Sequence, residues 1–78
     1  MGYLLDIESL KEILNNMRAP ESYYNIGSYK EGALCIVSEN GNWIVFEGER
    51  GQRYNLKTFD NECDACLYFI EKMNSFLR

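Results

Sequence analysis

Apolar positions recur along this chain with two different periods, and the period changes twice. In the first stretch Ile7, Leu10, Ile13, Leu14 and Met17 fall at helical spacing and make one stripe. Asp6 can cap this helix by accepting from the free amides of its first turn, with Leu5 and Leu10 as a hydrophobic staple. Ser9, with Glu12 three residues on, is a second possible start. Pro20 stops the helix soon after Met17 or Arg18. From Glu21 to Tyr29 neither period holds, so this segment reads as a tyrosine-bearing loop, with a short extra edge strand over 23–26 as the one element it could carry.

Residues 32–38 read as a strand. The Glu39-Asn40-Gly41 turn signal and the run Trp43-Ile44-Val45-Phe46 then make a hairpin. A two-residue turn at Asn40-Gly41 would put Cys35, Val37, Ile44 and Phe46 on one face and Leu34, Ile36, Trp43 and Val45 on the other. A three-residue loop with Gly41 left-handed would instead group Leu34, Ile36, Ile44 and Phe46 against Cys35, Val37, Trp43 and Val45. Both registers leave the sheet apolar on both sides. Its second face is therefore either covered within the chain, by a helix or by the tyrosine loop, or offered to a partner.

Gly48-Glu49-Arg50-Gly51-Gln52 is long enough for a second hairpin turn, and Arg53-Tyr54-Asn55-Leu56-Lys57 alternates as an edge strand should, with Arg53 and Lys57 outside. Asp60 or Asn61 caps a last helix whose first turn carries Glu62 and Asp64, as its dipole favours. Cys63, Cys66, Leu67, Ile70, Met73 and Leu77 form its inner stripe, widened by Phe69 and Phe76. The expected fold is α+β: helix, three-stranded antiparallel meander, helix (α-β-β-β-α), with the extra edge strand near 23–26. At 78 residues the chain is expected to form a single domain over 1–78, because so short a chain must spend nearly all its apolar side chains on one core.

Composition narrows what such a fold can do. Twelve acidic residues against eight basic ones give a net charge of −4, which disfavours nucleic acid and anionic membrane surfaces and suits a basic protein partner. No apolar run approaches 18 residues, and Met1-Gly2-Tyr3-Leu4-Leu5 meets Asp6 at once instead of forming a basic-then-apolar leader. The chain is expected to stay in the cytoplasm, where three cysteines, Cys35, Cys63 and Cys66, remain reduced.

The absence of His removes the commonest general base and metal ligand together. Cys63 sits where a helix dipole lowers a thiol pKa, yet Glu62 and Asp64 beside it act the other way and no base is apparent. Cys63-x-x-Cys66 lacks the second ligand pair of a zinc site. No catalytic residue, metal or cofactor is expected, and core cysteines are the simpler reading. Gly48-x-x-Gly51 leads into a strand and carries Glu49, so it is a turn and not a phosphate loop. Arg50 between those glycines is either a solvated charge or the partner of a carboxylate such as Glu47. Helix, three strands, helix is also the order of double-stranded-RNA-binding domains. Asp60-Asn61-Glu62-Cys63-Asp64 stands where such a fold needs basic residues, so that reading is set aside.

The surface residues singled out as partner-binding are Trp43, Glu47, Glu49, Arg50 and Tyr54, followed by Tyr23, Tyr24 and Tyr29. For Trp43 and the tyrosines the competing reading is core packing.

One set of motifs adds a resemblance: Tyr23-Tyr24-x-Ile26-Gly27, Cys35 in a strand, Trp43-x-Val45 followed by Glu49-Arg50-Gly51, and Phe59-x-x-Glu62-x-x-Ala65-Cys66-x-Tyr68-Phe69. Over residues 22–70 this set resembles small bacterial immunity proteins found beside polymorphic or contact-dependent toxins, with Phe46 where a second tyrosine is expected. The resemblance implies a non-catalytic protein that binds and blocks a cognate toxin, many of which are basic nuclease domains. The alternative is a self-associating structural or regulatory domain, a homodimer formed through a spare sheet face around Trp43.

Overall fold

In the computed structural model, which describes residues 5–77, the chain runs α1 (Ile7–Asn16), β1 (Tyr24–Ile26), β2 (Leu34–Glu39), β3 (Asn42–Glu49), β4 (Gln52–Phe59) and α2 (Glu62–Phe76). A single 3-10 turn at Glu21–Tyr23 leads into β1. The leader reading falls on residues 1–5, of which 1–4 lie outside the described residues. No helix among the described residues is long and apolar enough to cross a membrane.

Both α-helices start on capping side chains. Asp6 Oδ1 accepts the Ser9 N–H at 2.8 Å and Asn61 Oδ1 accepts the Asp64 N–H at 2.8 Å, so Asp6 rather than Ser9, and Asn61 rather than Asp60, hold the orphan amides. A third carboxylate works across the chain: Glu62 Oε2 accepts the Ile7 N–H at 2.7 Å. The first turn of α2 thereby satisfies a donor at the first turn of α1.

The sheet order is β1-β2-β3-β4, with β3 antiparallel to both β2 and β4 and β1 parallel to β2. The expected three-stranded antiparallel meander is thus present inside a four-stranded mixed sheet. The extra strand forms at Tyr24–Ile26, one residue inside the expected span. Its parallel direction was not anticipated, because a parallel pair ordinarily needs a crossover of a dozen or more residues. Here residues 27–33 suffice. A strand of three residues advances only about 10 Å, so the chain has little distance to retrace, and Gly27 and Gly32 turn it at positive φ (103° and 75°).

Glu39 pairs with Asn42 around a two-residue turn in which Asn40 and Gly41 are both left-handed (φ 52° and 81°), the geometry that matches the twist of a hairpin. That selects the first of the two registers. On one face Leu34, Ile36 and Val45 are buried against Leu10, Leu14, Cys66, Phe69 and Met73, and Trp43 packs at the margin. Both helices lie on this side. The other face carries Ala33, Cys35, Val37 and Phe46. It is covered within the chain by the crossover: the Tyr29 ring stacks on Phe46, centroids 6.2 Å apart at 20°, and the Arg53 guanidinium carbon lies 4.6 Å from the same ring.

In α2 the innermost residues are Ala65, Cys66, Phe69 and Met73, while Leu67 and Phe76 are 50% and 40% exposed. The expected stripe was therefore too wide. Steps of four from Ala65 through Phe69 to Met73 set the buried line, and Leu67 falls on the opposite side.

Candidate functional site

The hairpin joining β3 to β4 turns at Arg50 and Gly51, both left-handed (φ 55° and 75°). Arginine is an uncommon occupant of that conformation, and a clasp holds the turn. Glu31 Oε2 accepts the Arg50 N–H at 2.6 Å, and Glu31 Oε1 accepts the Gly51 N–H at 3.2 Å. The Tyr29 hydroxyl accepts the Gly51 N–H at 2.8 Å and donates to Glu31 Oε1 at 2.6 Å. The Tyr29 hydroxyl and then these two backbone donors hold the Glu31 carboxyl below its usual range, while the same carboxylate raises the Tyr29 phenol. Tyr29 is thus a structural residue by its ring and by its hydroxyl. The side chain of Arg50 is exposed and makes no ion pair among the described residues.

Glu47 does not pair with Arg50. It lies 3.5 Å from Lys72 Nζ and accepts from Asn55 Nδ2 at 3.0 Å. Asn55 reaches it because β4 bulges there: two residues, Asn55 and Leu56, stand opposite Phe46, and Asn55 is left-handed at φ 53°. Directly across the ladder from Glu47 is Tyr54, 44% exposed.

A groove of about 410 Å³ opens at this end of the sheet, beside the C-terminal turn of α2. Tyr23 (42% exposed) and Phe76 line it together with Leu34, Glu47 and Glu49. The glycines that line it, Gly32 and Gly48, have spent their N–H groups between the strands: Gly32 N–H donates to the Gly48 carbonyl at 2.8 Å and Gly48 N–H to the Ala33 carbonyl at 2.9 Å. The charged groups lining the groove are the carboxylates of Glu47 and Glu49, and Lys72 already engages this wall, 3.5 Å from Glu47 and 5.8 Å from the centre of the Phe76 ring.

Of the eight residues singled out from the sequence, the fold brings Tyr23, Glu47 and Glu49 together at the groove, and Tyr54 adjoins it. Arg50 stands at the hairpin tip next to Glu49. The other three are elsewhere. Trp43 is half-buried at the far end of β3 against the helix-side core, opposite Ser38 and Phe59. Tyr24 packs edge-to-face on Phe69, centroids 6.5 Å apart. Tyr29 lies across the other face. Phe76 was missed because it was assigned to the core stripe: it stands seven residues after the buried Phe69, so helical spacing alone puts it on the inner line, and it is exposed only as the last residue of α2.

The thiols sit away from the groove. Cys35 and Cys66 are buried and Cys63 is partly so. Burial pushes the Cys66 thiol up to about 11, with Glu62 and Asp6 adding to it, and burial also raises Cys35 against the opposing Lys30 N–H. No group of three His, Cys, Asp or Glu side chains among the described residues could hold a metal ion. Comparison of the chain with protein-family models, with curated proteins and with solved structures finds no match.

Proposed function

We propose that this chain is a non-catalytic protein-binding domain, and that it acts as a cytoplasmic immunity protein that binds and neutralises a cognate bacterial toxin. The observation that carries the reading is the groove end of the sheet. There Tyr23, Tyr54 and Phe76 present exposed aromatic surface beside Glu47 and Glu49 on a chain of net charge −4. Exposed aromatic anchors next to carboxylates suit a basic protein surface, giving contact area from the rings and steering from the charge. Cys35 and Cys66, whose thiols burial raises, are poor nucleophiles, which fits a role in binding.

The test is co-expression with the product of an adjacent gene that encodes a toxin-like C-terminal domain. Rescue of growth and a stoichiometric complex on size-exclusion chromatography are the expected outcomes; no complex and no rescue would end the proposal.

A second reading, self-association, draws on one observation. Every residue of β4 except Phe59 is exposed, Tyr54 and Leu56 among them, so the outer edge of the sheet is open. The bulge at Asn55 and the charge of Lys57 both oppose edge-to-edge pairing, and we expect sedimentation to give a monomer.

A further inference from the structure

We infer that residues 28–31, the middle of the crossover, form a strap that opens as a unit while both helices stay packed, and that its opening uncovers the Cys35 face of the sheet. The inference does not depend on the protein-binding reading above.

The sheet has two separate cores, and they are unequally covered. Leu34, Ile36 and Val45 lie under both helices with Leu10, Leu14, Cys66, Phe69 and Met73. Ala33, Cys35, Val37 and Phe46 make the other cluster, on the side away from the helices. Ser28, Tyr29 and Glu31 of the strap are exposed and Lys30 is half-buried, so its apolar contribution is one ring, that of Tyr29 stacked on Phe46. Lifting the strap gives up little apolar burial, whereas parting the helices from the sheet exposes a whole core.

The ends of the strap are pinned and its middle is fastened only by polar groups. Gly27 N–H donates to the Ile36 carbonyl and Gly32 N–H to the Gly48 carbonyl, each at 2.8 Å. Both glycines have positive φ, and no atom lies within 4 Å of where a Cβ would stand, so each is a permissive pivot in open space. Between them Asn25 Nδ2 donates to the Ser28 carbonyl at 3.0 Å and Lys30 Nζ to the Glu21 carbonyl at 2.6 Å. Tyr29 and Glu31 latch onto the Arg50 and Gly51 amides. All but the pins are exposed bonds of a kind that water can replace.

Beneath the middle of the strap lies the Cys35 thiol. Its Sγ accepts the Lys30 N–H at 3.3 Å and faces the carbonyls of Lys30 and Ala33 at 3.7 Å and 3.6 Å. Cys35 is thus buried by strap backbone, and Cys66 by the helix-side core. The two thiols report on two different openings.

The test is labelling of the intact chain with iodoacetamide at urea concentrations from zero to the unfolding transition. Peptide mass spectrometry reads each cysteine at low extents of reaction, and each rate is divided by that of the same cysteine in the unfolded chain. Below the transition Cys35 should label faster than Cys66 and respond weakly to urea, since a local opening exposes little surface, while the Cys66 rate climbs with the slope of global unfolding. Glu31→Gln and Tyr29→Phe should each speed Cys35 about tenfold, the scale of one hydrogen bond to a charged group. Leu14→Val, which weakens the helix-side core, should speed Cys66 and leave Cys35 unchanged. One shared rate and urea slope for Cys35 and Cys66 would mean that the strap lifts only when the chain unfolds, and would overturn the inference. So would a Cys35 rate equal to that of the unfolded chain, or indifference of Cys35 to both latch substitutions.

Discussion

Gly48 sits where the crossover passes over the sheet, and a Cβ there would lie 2.6 Å from the Lys30 carbonyl oxygen and 2.9 Å from the Tyr29 ring. The nearest atom is backbone, so it cannot swing aside. Gly48 is in ordinary strand conformation, and the need for glycine is one of space alone. Gly48→Ala is therefore expected to cost about 1–3 kcal/mol, the usual range for forcing extra volume into a packed site, read as a lower denaturation midpoint with an unchanged slope. Sequence patterning shows that Gly48 precedes a turn, but not that a loop from residues 27–33 packs onto it, since that contact joins segments with no shared period. Trp43 marks the same boundary from the other direction. Its strand and face follow from the hairpin register, yet whether its ring meets a helix or a partner depends on where α1 and α2 lie, and single-sequence periodicity does not place them.

At the scale of elements, the clasp between the crossover and the β3–β4 turn makes a prediction with a definite sign. The folded state depresses the Glu31 carboxyl through the Tyr29 hydroxyl and the Arg50 and Gly51 amides. A carboxyl with a lowered folded pKa contributes stability above its ordinary value of 4.5, and that contribution is lost as pH falls below 4.5 and through the lower folded value. On acidification the Arg50 and Gly51 amide resonances should shift together as Glu31 takes up its proton, and Glu31→Gln should shift them at neutral pH and abolish their titration. Amides that titrate unchanged in that variant would assign the effect to another group. Both helices and the three antiparallel strands were legible from spacing and turn chemistry, and each cap was narrowed to two residues, Asp6 or Ser9 and Asp60 or Asn61. The short strand near 23–26 was expected as well, but its parallel pairing was not, because only three residues pair and nothing in the local pattern sets their direction.

For the molecule as a whole, the acidic balance and the groove together predict how a complex would respond to salt. Contacts made by exposed carboxylates are screened over a Debye length of about 8 Å at 0.15 M ionic strength. Association with a basic partner should therefore slow as salt rises while dissociation changes less, which stopped-flow mixing at several ionic strengths would measure. Of the side chains gathered at that end of the sheet, Tyr23, Glu47, Glu49 and Tyr54 were singled out from the sequence and Phe76 was not. Phe76 and Tyr23 reach the others only because α2 ends, and the 3-10 turn begins, at the same edge of the sheet.

The two hairpin turns, alike in their left-handed residues, are not interchangeable. Asn40-Gly41 joins β2 and β3 at the end remote from the groove, both residues open to solvent and neither held by a side chain among the described residues. Arg50-Gly51 is gripped by Glu31 and Tyr29 and lies beside Glu49. An inserted epitope, fluorophore or surface tether placed at 40–41 would leave the grooved end facing outward, whereas the same insertion at 50–51 would release the crossover from the sheet. The fold thus sets an unclasped turn and a clasped one at opposite ends of β3.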